Sequence, residues 1–552
     1  MNKELIIAVA LSLGAIVAGA STNPLMTMRL RVNDTETMEA WKSNFKVIAD
    51  NPGCCDEIWF STGIGFPLLD WHRKHADILA VAIADAKSKG IVPSLQFQAT
   101  IGHGIGSPEL FAMKTWTGWT GWKGVETKYC NCPRQPAFHE YLREVSKIYA
   151  RLGFAALWID DDLRITSHPP ADNGGRHVGC FCNTCIDAFN AESGGTWTRE
   201  TLAKAIETDN ALFASWRKFS IDGLISVVKT IAEVFKAESP DTMLGYQNAD
   251  VVLSEGLTAD ILKAMYQFTG KPVGSRQGGG TYYDDDPNSV VVKSIASGYC
   301  RDKIGNPDYV SIWSPEIESY PRTYYSKSPQ GVLVEGFTAL MYGMNSISYF
   351  ISNIEKEDPE LYGRTCWKTL AEASPVLRGY AKTIAGCTAV GFAMPQQPRL
   401  GIRRIAIPVL AGPGRKVGVL TDEEATKTSV NKMTSAQVQK MRDDLDSRAG
   451  GLPAVVKSPF MGLMQIHVDE NDNLRSVALQ NIRISDQGPV RLLLRKLPPS
   501  CKFIVWNEMC RKPLSLELEN VGGETFVTIP VIGAWNGGYL SPSAETNPKE
   551  VK

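Results

Sequence analysis

The sequence predicts a (β/α)₈ barrel followed by a short α/β segment and a C-terminal antiparallel β-sandwich. Three observations predict it. Short apolar runs alternate with amphipathic stretches over roughly the first 400 residues, the pattern of strands and covering helices. Two of those runs end in acidic clusters, Asp160-Asp161-Asp162 and Glu316-Ile317-Glu318. Beyond Leu400 the runs become short, alternating and punctuated by Gly and Pro, which is sandwich chemistry. At 552 residues and 43% hydrophobic, the chain can bury a large core divided among domains.

In chain order, residues 1–20 read as a signal peptide: Lys3, an apolar stretch from Leu5 to Val17, then Ala18-Gly19-Ala20 before polar Ser21. This predicts a periplasmic or secreted protein. The barrel is expected over 25–395, with strands at Met28 to Val32, Glu57 to Gly63, Val92 to Thr100, Ala155 to Asp162, Met243 to Asn248, Pro272 to Gln277, Tyr309 to Glu318 and Ile347 to Ser352. Helical spacing fills the gaps, as in Asp70 to Lys89, Ala137 to Arg151 and Pro329 to Met344. Residues 396–460 read as a shortened middle α/β domain or linker, and 461–545 as the sandwich. Gly278-Gly279-Gly280 precedes Tyr282-Tyr283-Asp284-Asp285-Asp286 and reads as a mouth loop rather than a phosphate cradle, because no strand-to-helix Gly-x-Gly-x-x-Gly surrounds it.

A net charge of −1 and the lack of a long basic run argue against nucleic acid and against an electrostatic membrane surface. No segment reaches the ~20 apolar residues of a membrane span. The expected partner is a neutral molecule such as an oligosaccharide or glycoside.

Catalytic groups of parallel barrels sit at the C-terminal mouths of the strands. Carboxylates from the fourth and seventh strands therefore face one pocket, and two opposed carboxyls are what glycosidic bond cleavage requires. Regular alternation places Asp160 and Asp162 on one face of the strand and Asp161 on the other, with Glu316 and Glu318 together. Three packed acids raise one another's pKa, which suits a proton donor, and Arg164 is placed to neutralise a neighbour. Trp313 and Tyr320 flank the seventh-strand acids as sugar platforms, as do Trp116, Trp119 and Trp122 after the third strand. His103 and Arg276 are candidate hydroxyl contacts.

Among the twelve cysteines, Cys180, Cys182 and Cys185 fall within six residues after the fourth strand, and Cys132 lies about 50 residues earlier. The triplet and one thiolate of the Cys130-x-Cys132 loop can close a Cys₄ structural zinc site; disulfides are the alternative in an oxidising compartment. Cys54, Cys55, Cys300, Cys366, Cys387, Cys501 and Cys510 show no ligand spacing and read as core thiols.

Trp158-Ile159-Asp160-Asp161-Asp162-Leu163 resembles the fourth-strand segment of glycoside hydrolase family 42 β-galactosidases, in which an Asp-Asn-Glu triplet ends in the acid/base. The Cys132-Pro133 pair and the Cys180, Cys182, Cys185 triplet resemble that family's zinc cluster. Glu318-Ser319-Tyr320-Pro321 looks like its nucleophile segment. Asp at the acid/base position is similar to the β-mannosidases of glycoside hydrolase family 164. The resemblance spans roughly 25 to 395 and implies a retaining exo-β-glycosidase acting by double displacement, a β-mannosidase first. A β-galactosidase and a catalytically degenerate carbohydrate-binding barrel are the alternatives. It further implies Asp162 as acid/base with Asp160 as second choice, Glu318 as nucleophile with Glu316 as second choice, and contacts to sugar from Asp161, Arg164, His103, Trp313 and Tyr320. Such relatives form homotrimers through a middle domain that is much longer than 396–460.

Overall fold

The computed structural model describes residues 24–98, 100–166, 175–248, 257–352, 366–394, 400–427, 430–498, 503–508 and 514–543. The expected signal peptide and Cys501 and Cys510 lie outside the described residues. Eight parallel strands close a barrel in chain order: β1 (Met26–Arg29), β2 (Glu57–Ser61), β3 (Val92–Phe97), β4 (Ala156–Ile159), β5 (Met243–Asn248), β6 (Val273–Gln277), β7 (Val310–Glu318) and β8 (Ile347–Phe350), with β8 returning to β1. A helix follows each strand in the outer ring; two of these, Met38–Asp50 and Pro329–Met341, begin at Thr37 and Ser328, whose side chains accept the N–H of Ala40 and Gly331.

Inward-pointing side chains fill the barrel in layers. Near its floor Glu57 accepts from the hydroxyls of Thr27 and Ser94 at 2.7 and 2.5 Å. Above it the rings of Trp59 and Trp158 stack with centroids 4.2 Å apart, beside Ala156 and Ile312. Room for the Trp158 indole comes from the next two strands: a Cβ on Gly245 or Gly274 would approach its ring to 2.3 Å, so strand glycine here marks a close approach rather than a turn. Truncating a tryptophan buried this completely costs about 3–5 kcal/mol. Above that layer the interior becomes charged.

The second, third and eighth strands end two or three residues early, at Ser61, Phe97 and Phe350, and two other differences bear on the site. The first occupies Met26–Arg29 rather than Met28 to Val32, because Val32–Asp34 turns into a short helix in which Asp34 accepts the Arg31 N–H. The fourth ends at Ile159, before its three acids.

The sheets run across the expected divisions at 396 and 460. Residues 388–543 form two sheets. One has the order β10 (Arg415–Val419), β9 (Thr388–Ala393), β12 (Gly462–Val468), β13 (Leu474–Asn481), β19 (Gly537–Ser543), β15 (Phe503–Glu508), β16 (Leu514–Leu516). The other runs β11 (Ala454–Val456), β14 (Val490–Leu494), β18 (Glu524–Ile529), β17 (Glu519–Val521). β9, expected inside the barrel limit, pairs antiparallel with β12, Thr388 opposite Val468. The "middle" residues thus supply edge strands to both sheets, and the helix Ser435–Arg448 is tied to them by Arg442, which donates to the carbonyls of Ile405, Ser458 and Phe460. Ile402, Ile405, Ile407, Val409, Leu420 and Leu445 form a buried cluster that Phe392, Leu493 and Phe526 of the flanking strands complete. The sandwich packs on the barrel where Tyr380 meets Phe337 and Tyr539, ring centroids 5.2 Å apart in both pairs. Among the described residues no helix is long and apolar enough to cross a membrane.

Candidate active site

Past a shift in its pairing with β6 at Ser311, β7 stays regular from Ile312 to Glu318, so alternation holds through its acids. Ile312 packs on the inner tryptophans, and Glu316 and Glu318 follow on the same inward face. Pro315 does not end the strand: its missing N–H costs no pairing, and its carbonyl accepts the Ser348 hydroxyl at 2.8 Å. The same alternation turns Trp313 outward. It is 1% exposed, with the Arg301 guanidinium 5.4 Å from its ring centroid, which removes it from the sugar-contacting residues.

Glu316 is clamped by two cations from other strands. Arg29 of β1 donates to its Oε1 at 2.7 Å, and Arg276 of β6 lies 3.0 Å away. Burial would push its pKa up, but Arg276 and Arg29 outweigh burial and hold it below the ordinary glutamate range. Glu318, one pleat nearer the mouth, pairs with Arg322. Burial and the neighbouring Glu316 push its pKa up to about 7.

At β4 the backbone leaves the strand and the three acids diverge. Asp160 continues the inward face, accepting from Gln98 Nε2 at 3.0 Å and lying 3.8 and 3.7 Å from Arg29 and Arg276. Asp161 turns to the mouth with 19% of its side chain exposed. Its Oδ1 meets Arg164 at 3.0 Å and His103 Nε2 at 3.1 Å, and its Oδ2 lies 4.0 Å from Arg276. Burial opposes its ionisation, yet the His103 hydrogen bond and the Arg164 charge hold it far below the usual carboxylate range.

Asp162, expected as acid/base, has no exposed side-chain surface. The N–H groups of Thr100 and Gly102 donate to its Oδ2 at 3.2 and 2.7 Å, and the Thr100 hydroxyl donates to Oδ1. Burial pushes its pKa up to about 7, but the carboxyl is closed off from a substrate. It anchors the loop after β3. That loop admits no side chain at residue 102, where φ is +119° and a Cβ would lie 2.4 Å from the Tyr129 carbonyl.

Around the mouth, Tyr320 is half exposed and tilts against Tyr282, ring centroids 5.7 Å apart. Burial, with the charges of Glu316, Glu318 and Asp161, raises the Tyr282 pKa. Beneath it Lys293 and Lys327 share Glu335 at 2.9 and 2.6 Å. The tryptophans after β3 are packing: Trp116 donates to Asn131 at 2.7 Å, Trp119 is buried, and Trp122 stacks on His177 at 4.5 Å.

The sulfurs of Cys132, Cys180, Cys182 and Cys185 lie within 4.8 Å of one another, with Cys132 to Cys185 at 3.4 Å and Cys182 to Cys132 at 3.5 Å. A tetrahedral zinc with arms of about 2.3 Å spaces its sulfurs by roughly 3.8 Å, so the donor set fits that ion; a disulfide needs about 2.05 Å. Cys130 stands apart, its thiol donating to the Gly102 carbonyl. The cluster joins the hairpin Gly118–Thr120/Glu126–Asn131 to the helix Asn183–Ser193, and so braces the loop that carries His103.

Sequence reasoning missed Arg29, Gln98, Tyr282, Lys293 and Arg322. Arg29 and Gln98 carried a signal, as polar residues on the inward face of apolar strands; Arg322 and Tyr282 sit in turns, where no periodicity marks them. A cleft of about 1030 Å³ opens at the opposite end of the barrel, between Leu25, Asp56 and Asn345 and the sandwich residues Gln465 and His467. It is remote from these acids.

No family model matches the chain, and no curated protein matches it. Solved structures do. The chain is similar in fold to the β-galactosidase from Bacillus circulans sp. alkalophilus, at 10% identity over 95% of this chain and 99% of that one, TM-score 0.57. A catalytic mutant of a GH42 β-galactosidase from G. stearothermophilus matches at 9% identity over 95% and 98%, TM-score 0.57. The cold-adapted β-galactosidase from Rahnella sp. R3 matches at 11% identity over 93% and 99%, TM-score 0.52.

Proposed function

We propose that this chain is a retaining exo-β-glycosidase. The observation that carries the reading is convergence: acids from the fourth and seventh strands, Asp161 and Glu316, meet at one buried guanidinium, Arg276, with Glu318 beside them at the mouth. Two carboxylates flanking a sugar from opposite strands suit glycosidic cleavage, and double displacement is the course that the resemblance implies. Glu318 is the nucleophile, since its side chain is 10% exposed against 5% for Glu316, and the two arginines on Glu316 fit a supporting role. Its attack on the anomeric carbon breaks the glycosidic C–O bond, the departing oxygen takes a proton from the β4 side, and water then releases the sugar. Tyr320 and Tyr282 offer ring faces to the substrate.

The preference for β-mannosides rested on Asp at position 162, and that carboxyl is closed off. The solved structures of like fold carry the name β-galactosidase, so β-galactosides are the first substrates expected. A panel of aryl β-galactoside, β-mannoside and β-glucoside tests this: hydrolysis of one with first-formed β-anomer by NMR is expected. Binding of sugars with no hydrolysis across the panel would favour the non-catalytic barrel, a reading the closure of Asp162 supports.

Zinc held by Cys132, Cys180, Cys182 and Cys185 completes the proposal as a structural ion with no open position. About one equivalent is expected in purified protein, with unfolding at lower temperature after chelation. Export remains part of the proposal, resting on residues 1–20.

A further inference from the structure

Cleavage needs a proton for the leaving oxygen, and the β4 acids do not supply one singly. Asp162 is sealed by three donors, and Asp160 lies in the barrel among Arg29, Arg276 and Gln98. Asp161 reaches the mouth but is surrounded by positive charge. The remaining carrier is His103. Its Nε2 is 3.1 Å from Asp161 Oδ1, its Nδ1 is 4.0 Å from Asp162 Oδ2, and its side chain is 16% exposed.

We propose that His103 and Asp161 act as one proton-carrying pair, with the imidazolium as the proton source and Asp161 as the group that touches the leaving oxygen. The proposal rests on the glycosidase reading and deepens it. It also separates the roles of the triplet. Asp160 orders the interior arginines, Asp161 meets substrate, and Asp162 fixes the backbone of Thr100 and Gly102 so that the next residue, His103, stands at the mouth.

Among the charges that act on the imidazole are Asp160, Asp161 and Asp162; Arg164 and Arg276 lie against Asp161. Burial lowers the His103 pKa, but the Asp161 hydrogen bond and the three carboxylates outweigh burial and raise it to about 9. The pair therefore holds a proton at neutral pH although Asp161 alone is kept ionised. In the first step the glycosidic C–O bond breaks, its electron pair stays on the leaving oxygen, and the proton leaves His103 through Asp161 to that oxygen. In the second step water attacks the anomeric carbon, the bond from that carbon to Glu318 breaks with its electron pair returning to the carboxylate, and the water's proton returns by the same route, restoring the imidazolium.

His103→Gln tests the pair. The expected result is a loss of about 100-fold or more in kcat/KM on alkyl β-glycosides, a loss below about 10-fold on dinitrophenyl glycosides, and disappearance of the basic limb near pH 9. An equal loss on both leaving groups with that limb unmoved would overturn the proposal. Imidazole NMR titration reads the pair without turnover: the His103 resonance should titrate near 9 in the wild type and fall toward about 6.5 in Asp161→Asn. An unchanged midpoint would also overturn it. If the wild type hydrolyses no glycoside, the glycosidase reading fails and the catalytic role with it, while the titration still decides whether the pair exists.

Discussion

The ends of β4 and β7 carry similar acidic sequences and use them in opposite ways. β7 runs unbroken through Glu318, so its two glutamates share one inward face and differ only in depth. β4 ends at Ile159, so three consecutive aspartates point to the barrel interior, the mouth and the neighbouring loop. The difference is one of backbone, not of charge. Where a strand persists, spacing of two keeps acids together and their roles separate by layer; where it stops, adjacent acids acquire unrelated partners.

The largest effect is expected at β7. Glu318→Ala should lower kcat on every glycoside by on the order of 10⁴-fold or more, since no covalent intermediate forms without it. Stability should fall as well, because Arg322 loses its carboxylate partner while its side chain is only 16% exposed. Glu316→Gln should act chiefly on stability: it leaves Arg29 and Arg276 buried without their shared carboxylate, at about 3–5 kcal/mol, read as a fall in the denaturant midpoint. If both variants lost activity alone, the layer distinction would be broken. The pH dependence sharpens it. Glu318 must be ionised to attack, so kcat/KM should rise as pH rises through about 7, and His103 must be protonated, so it should fall through about 9; an optimum near pH 8 follows.

The same contrast explains how much could be read from the chain. The barrel was legible because eight apolar runs alternate with helical spacing, and the acids of β7 fell on their expected face because the pleat extends to Glu318. The Cys₄ grouping was legible because its spacing is local and its partner hairpin returns to the same mouth. The face of Asp162 was not legible, because alternation does not extend past Ile159 into a turn, and the reach of the sandwich was not legible because β9 pairs with β12, seventy-odd residues on, a contact no local pattern marks. Arg29 and Arg276 are far apart in sequence and meet only when the barrel closes.

Asp162→Asn probes the β4 side with a middling effect. Its amide keeps one acceptor oxygen for the Thr100 and Gly102 N–H groups and turns a donor toward the remaining contacts. A loss of about 1–3 kcal/mol in stability is expected, with activity reduced through the His103 loop rather than abolished. Abolished turnover with unchanged stability, together with rescue by azide, would restore Asp162 as acid/base.

The smallest effect is expected at Trp313, where the two readings of β7 part most cleanly. A sugar platform would lose substrate affinity on substitution, raising KM with little change in folding. An outward core side chain would do the reverse. Trp313 lies five residues before Glu318 and on the opposite face, with Arg301 against its ring and its backbone N–H donating to Asn345 at 2.7 Å. Trp313→Phe keeps an apolar ring but removes part of its volume, so stability should fall by about 1–2 kcal/mol. KM should stay within about 2-fold, because no contact with the mouth is lost. A several-fold rise in KM at unchanged stability would mean that β7 is not regular between Ile312 and its acids, and the placement of Glu316 and Glu318 on one face would fall with it.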